Sequence, residues 1–174
     1  MDNKKISARE LTLTAMTAAL VFLATYTLKI PTPTGYAHLG DCVIFIGVLV
    51  LGSKKGALAG GIGAALSDAL GGYTHWIVPT FFIKAAMALI MGAFVYKLLK
   101  SNRFAWLVGA FVGGLIQVLL YALVKIPMYG LEYVTVTLWS DIVQTLFGIG
   151  ISAFVIAALQ GGGIIKKLRL STAA

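Results

Sequence analysis

The chain has 174 residues, 59% apolar and only 11% charged, with a mean hydropathy of +0.93 and a formal net charge of +8. A charged fraction under half of the roughly 25% usual for soluble domains cannot clothe such a core in polar surface, so lipid must supply the apolar surroundings. The same arithmetic excludes a disordered chain, and a solitary cysteine, Cys42, excludes a disulfide framework or a cysteine-based zinc site.

In chain order, apolar runs occupy residues 8–28, 42–52, 57–70, 79–99, 104–124 and 136–159. About 20 residues are needed to span hydrocarbon as a helix, so four runs are long enough and the second and third are short. Gly52-Ser53-Lys54-Lys55-Gly56 separates those two and predicts two short or tilted helices. The first run is too long for a signal peptide and lacks a small-residue cleavage site, so it reads as a retained helix. The expectation is an all-α membrane protein, a single integral-membrane domain over 1–174, with six transmembrane helices.

Six crossings put Lys4, Lys5 and Arg9, then Lys54 and Lys55, then Lys97, Lys100 and Arg103, and finally Lys166, Lys167 and Arg169 on one side. The positive-inside rule makes that side the cytoplasm, with N- and C-termini inside. Fusing the second and third runs would bury Lys54 and Lys55 at mid-helix, at about 2.5–3.5 kcal/mol each. The positive charge is thus explained by topology, and no nucleic-acid partner is predicted.

The three external connections are 29–41 (KIPTPTGYAHLGD), 71–78 (GGYTHWIV) and 125–135 (KIPMYGLEYVT). They carry both histidines and a cluster of Tyr and Trp, with Gly and Pro expected to set turns. In the outer half, Lys29, Lys84 and Lys125 nearly balance Asp41, Asp68, Glu132 and Asp141. Charges within a span are costly and usually face a cavity or one another. The spacing predicts an outward-facing pocket in which Asp68, Asp141 and Lys84 converge with Gln144, one turn from Asp141. Gln117, Tyr121 and Lys125 recur at i,i+4 as a second polar stripe. Tyr36, Tyr73, Trp76, Tyr129 and Trp139 could close over a flat ring by stacking, and they equally suit an interfacial aromatic belt. Asp41 also suits a helix N-cap. His38 and His75 lack regular ligand spacing, so hydrogen bonding to a ligand is expected in preference to a metal.

No cofactor is expected. Gly60-Gly61-Ile62-Gly63 fails as a dinucleotide loop, because Leu66 occupies the third small position and no strand is predicted before it. No G-x-x-x-x-G-K-[ST] loop occurs, so uphill transport would draw its energy from a partner. Small residues instead mark close packing: Ala15 and Ala19 on the first helix, Gly56, Gly60 and Ala64 on the third, Gly109 and Gly113 on the fifth.

The stretch GYAHLGDCVIFIGVLVLGSKKGALAGGIGAALSDALGGY, residues 35–73, and the Ala15-x-x-x-Ala19 pair resemble the substrate-binding S components of energy-coupling factor (ECF) vitamin transporters. The resemblance spans nearly the whole chain and is nearest to the pyridoxine and hydroxymethylpyrimidine type, with riboflavin or pantothenate as alternatives. It implies a non-enzymatic subunit of a bacterial cell membrane that captures a small vitamin from outside. It also implies partners, a transmembrane T component with two ATPases, toward which the subunit topples in the bilayer. By the same resemblance Ala15 and Ala19 become partner contacts, though Leu23 replaces the third alanine of the family's usual run. Tyr36, His38 and Asp41 become lid and pocket wall, and Lys84, Asp141 and Gln144 become ligand contacts. A reading of another class is a small intramembrane enzyme using His38 with Asp41 or Asp68 for acid–base work.

Overall fold

A computed structural model describes residues 7–32, 35–100 and 102–161. Lys4, Lys5, Lys166, Lys167, Arg169 and both chain ends, which entered the predicted topology, lie outside the described residues.

Ser7 and Glu10 form a capping box, each side chain accepting a hydrogen bond from the other's backbone N–H at 3.2 Å, and they open α1, Ala8–Tyr26. The first external connection then departs from the all-α expectation. It forms two antiparallel strands, β1 (Lys29–Thr32) and β2 (Gly35–His38), in the register Lys29 to His38 and Ile30 to Ala37. Pro31 keeps this segment out of a helix and is tolerated in a two-stranded ribbon, where every strand is an edge.

Two helices follow, α2 (Gly40–Leu51) and α3 (Ser53–Leu70), separated by Gly52 alone. Gly52 has φ 85°, a left-handed conformation open chiefly to glycine, and it turns the chain in one residue. The predicted five-residue break is therefore shorter, and Lys54 and Lys55 stand in the first turn of α3. A 3-10 turn, Thr74–Trp76, leads into α4 (Ile77–Ala93), which ends in a π-helical turn, Phe94–Leu98.

The third external connection is also not a loop. Helix α5 runs Ala105–Tyr129 through Lys125 and Pro127, and α6 begins at once as Leu131–Gly161. Only Gly130, at φ 86°, lies between them. Pro127 falls in the last turn of α5, where few helical bonds remain to be broken.

Among the described residues, four helical stretches are long and apolar enough to cross a bilayer: Ala8–Tyr26, Thr74–Leu98, Ala105–Tyr129 and Leu131–Leu159. Helix α2 has 12 residues, about 18 Å long, against a hydrocarbon core of about 30 Å. It is nonetheless the axis of the bundle. Its Ile44, Phe45 and Val48 are buried in one cluster with Val21 of α1, Ala64 of α3, Met87 and Met91 of α4, Ala110 of α5, and Ile149 and Ile156 of α6. Protein rather than lipid surrounds α2, so its length need not match the bilayer. The outer faces are apolar as lipid contact requires, with Phe82, Leu115, Leu123 and Phe154 all well exposed.

The small-residue stripes pack within this bundle. Gly56 and Gly60 of α3 face Val48 and Ile44, while Gly109 and Gly113 of α5 face Met91 and Met87. At Gly63 the approach is closest to backbone: an added Cβ would stand 2.4 Å from the Ala18 carbonyl oxygen and 2.7 Å from Val21 Cβ. Gly63→Leu is expected to push α1 off α3 and cost about 1–3 kcal/mol, read as a lowered melting temperature in detergent. Gly150→Ala meets nothing within 4 Å and should change stability by less than about 0.5 kcal/mol.

Candidate functional site

Asp41 lies in the first turn of α2, Lys84 in the middle of α4 and Gln117 in the middle of α5, and each is at most 1% exposed. Lys84 Nζ donates to Asp41 Oδ1 at 2.5 Å and to Gln117 Oε1 at 2.8 Å. Gln117 Nε2 donates in turn to Asp41 Oδ2 at 3.0 Å and to Thr145 Oγ1 at 3.2 Å, and Gln144 Nε2 reaches the same Asp41 oxygen at 3.4 Å. A buried ion pair is tolerable only with such bonds on its remaining lone pairs and protons. This corrects two expectations. Asp41 is not an N-cap, since Leu39 holds that position without a side-chain bond, and the ion-pair partner of Lys84 is Asp41, not Asp68 or Asp141.

Directly above this network is a cleft of about 180 Å³ lined by His38, Asp68, Tyr73, Trp76, Thr80, Tyr121, Lys125, Tyr133, Asp141 and Gln144. The helices bring these residues together because the C-terminal ends of α3 and α5 and the N-terminal ends of α2, α4 and α6 all lie at one end of the bundle. Lys125 Nζ pairs with Asp141 Oδ2 at 2.5 Å and donates to Thr137 at 3.2 Å. Across from it, Asp68 lines the cleft beside Thr80, and its Oδ2 is enclosed without a partner among the described residues. The Tyr121 ring lies between two cations, 5.6 Å from Lys84 Nζ and 5.9 Å from Lys125 Nζ, and its hydroxyl lies 3.4 Å from Thr80 Oγ1. Trp76 leans on Tyr121, with ring centroids 5.6 Å apart. At the rim, the Tyr129 hydroxyl and His75 Nε2 are 2.6 Å apart, and Tyr129 packs on Trp76 at 6.3 Å.

His38, at the end of β2, is buried, and its Nδ1 accepts from the Gly40 N–H at 3.3 Å. Burial first and the nearby Lys84 second lower its pKa to about 4, against the opposing pull of Asp41. The imidazole is therefore neutral at pH 7. No group of three or more His, Cys, Asp or Glu suited to a metal ion occurs among the described residues.

Not every predicted site residue reaches the cleft. Asp41, Lys84 and Gln117 form the layer beneath it, and His75 and Tyr129 stand on the rim. Tyr36 lies in β2 with its side chain outside the described residues. Trp139 is 64% exposed and lines a separate apolar groove with Val143, Leu146, Phe147, Gly150 and Ile151. It is two residues from Asp141, about 200° around α6, so one helix cannot turn both inward. Thr80 and Tyr133 line the cleft without having been singled out by sequence. The signal was present: Thr80 precedes Lys84 by four residues, and Tyr133, Thr137 and Asp141 form an i,i+4 stripe like that of Gln117, Tyr121 and Lys125.

A second feature lies on the outside of the bundle. Ala15 and Ala19 of α1 are exposed and line an apolar groove of about 410 Å³ with Leu11, Phe22, Leu58, Ile62 and Leu66, between α1 and α3.

Two measurements check this geometry. Lys84→Ala strands the Asp41 charge and is expected to cost about 3–5 kcal/mol, whereas the double change Lys84→Met with Asp41→Leu should recover much of that, by denaturant unfolding in micelles. His38 binds a proton less readily folded than at its ordinary value of 6.5, so the unfolded chain takes up more protons between pH 6.5 and 4. Stability should fall on acidification through that window by on the order of 3 kcal/mol, and His38→Gln should flatten the dependence.

The family described as "ECF-type riboflavin transporter, S component" matches residues 5–169. A Pyrococcus woesei protein, "Uncharacterized protein in gap 3'region", is 34% identical over 152 residues, covering 84% of this chain and 95% of its own. The "Thiamine precursor transporter HmpT" of Lactococcus lactis subsp. cremoris (strain MG1363) is 30% identical over 172 residues, 97% of each chain. The chain therefore belongs to the S-component family of ECF-type riboflavin transporters, as a multi-pass membrane subunit of a transporter and not an enzyme.

Proposed function

We propose that this chain captures a single-ring thiamine precursor of the hydroxymethylpyrimidine type from outside the cell and delivers it inward together with a T component and two ATPases. The observation that carries the substrate reading is the cleft itself: about 180 Å³, walled by Trp76 and Tyr121 and edged with carboxylates. That is below the roughly 300–1,000 Å³ of sites that enclose drug-sized ligands, and it suits one aromatic ring better than a three-ring flavin with its sugar-alcohol tail. The full-length relative described as a thiamine precursor transporter supports the same choice. Riboflavin is the second reading, favoured by the family's description. Pantothenate is less well served, because its carboxylate would need a cation and the ammonium groups in and beneath the cleft, Lys125 and Lys84, already hold aspartates. Pyridoxine, also a single ring, is separated from the pyrimidine by mass.

The orientation follows from charge. Arg9, Lys54, Lys55, Lys97 and Arg103 belong to the helix ends opposite the cleft, and Lys55 is paired with Glu10 there. The positive-inside rule then turns the cleft outward, with all six helices crossing and both termini in the cytoplasm. The groove beside Ala15 and Ala19 is the face we assign to the T component, since small residues let helices approach closely in lipid. The ATPases are required because the sequence carries no phosphate-binding loop of its own.

Native mass spectrometry of the detergent-purified protein should release one unmodified hydroxymethylpyrimidine, and a flavin mass instead would overturn the choice. Ala15→Trp and Ala19→Trp should preserve binding yet lower uptake by roughly tenfold or more in cells supplying the T component and ATPases. Normal uptake in both variants would remove α1 as the docking face. Reagents applied to intact cells should label a cysteine placed at Tyr73 but not one at Lys54.

A further inference from the structure

We propose that Asp68 is the specificity-determining residue of the cleft, accepting a hydrogen bond from an exocyclic amine on the bound heteroaromatic ring. The proposal rests on the single-ring reading above and adds which ligand atom is recognised and by what.

The charges that line the cleft do not cancel: Asp68 and Asp141 face one ammonium, Lys125. That ammonium is committed to Asp141 and Thr137, and the second one nearby, Lys84, is committed to Asp41 and Gln117. Asp68 itself has no ion-pair partner among the described residues, and Lys84 and Lys29 act on it only from farther off. One of its oxygens, Oδ2, is enclosed without a partner among the described residues. An enclosed carboxylate oxygen without a donor is costly, and an incoming donor removes that cost. The terminal torsion of aspartate is soft, so a small rotation presents the oxygen to the cleft that the side chain lines.

The donor must come on a flat ring, because Trp76 and Tyr121 supply the neighbouring wall. A ring amine donates and, with its lone pair delocalised, does not accept, so it meets the carboxylate without repulsion. A ring carbonyl at the same position would set oxygen against oxygen. A site built around a buried polar group discriminates strongly against an analogue that leaves the group unpaired.

The test measures binding of 4-amino-5-hydroxymethyl-2-methylpyrimidine and of its 4-oxo counterpart to the full chain in detergent, for wild type, Asp68→Asn and Asp68→Ser. Wild type is expected to prefer the amine by roughly a hundredfold or more. Asp68→Asn should weaken amine binding by roughly tenfold or more and narrow or reverse the preference, because its amide can donate to the oxo group. Asp68→Ser guards against a folding defect in the first variant and should also narrow the preference. A merely structural role would weaken both compounds alike. An amine-to-oxo ratio unchanged from wild type in both variants overturns the assignment of Asp68 while leaving the substrate reading intact. Wild type that binds neither compound yet retains another vitamin overturns the substrate reading, and this inference with it.

Discussion

A lysine and an aspartate taken out of water at the centre of a membrane bundle are stable only together, and only if their remaining hydrogen-bonding capacity is filled. Lys84 and Asp41 meet that condition through Gln117, with Thr145 and Gln144 completing the shell. The network joins α2, α4, α5 and α6, so it fixes the rotation of four helices at once. Helix α2 is too short to span a bilayer unaided, yet this polar anchor at its first turn and the apolar cluster of Ile44, Phe45 and Val48 below hold it on the bundle axis. Everything above the network inherits its floor from it.

That floor shapes the cleft. Because Lys84 is consumed below, Lys125 is the one lysine that lines the cleft with Asp68 and Asp141, and it is held by Asp141. The cleft is therefore left with a mild negative character and a pair of leaning aromatic rings, a combination suited to a neutral or weakly basic heterocycle. His38 stays neutral at its side, since burial and Lys84 both disfavour the imidazolium. At the other end of the bundle the cationic residues gather, and along α1 a strip of small residues stays uncovered. The cleft, the basic helix ends and the groove beside α1 are thus three separate surfaces, each built from a different kind of side chain.

Much of this was legible in the residues. Six apolar runs became six helices, with marked shifts at the α5–α6 junction, where the end of α5 moved from 124 to Tyr129 and the start of α6 from 136 to Leu131. The i,i+4 stripe of Gln117, Tyr121 and Lys125 did face inward, because helical spacing alone puts those side chains on one face. Other features were hidden. Gly130 by itself sufficed as a turn, so Lys125 and Pro127 stayed helical, and Pro31 of the first connection lies in a strand where only a loop was expected. Trp139 was grouped with the site by residue type, although its angular offset from Asp141 already placed it on another face.

From sequence alone came the apolar runs that form the helices and the gathering of basic residues at one set of helix ends, since hydropathy and charge act locally and sum along the chain. Which ammonium neutralises which carboxylate was decided by tertiary structure. Lys84 and Asp41 are 43 residues apart, and Gln117 and Asp41 are 76 apart. Their pairing depends on the rotation and relative height of separate helices, quantities that no local pattern encodes. Coulomb attraction chooses among the partners that packing brings within reach, and here packing brought Asp41 to Lys84 and left an oxygen of Asp68 open.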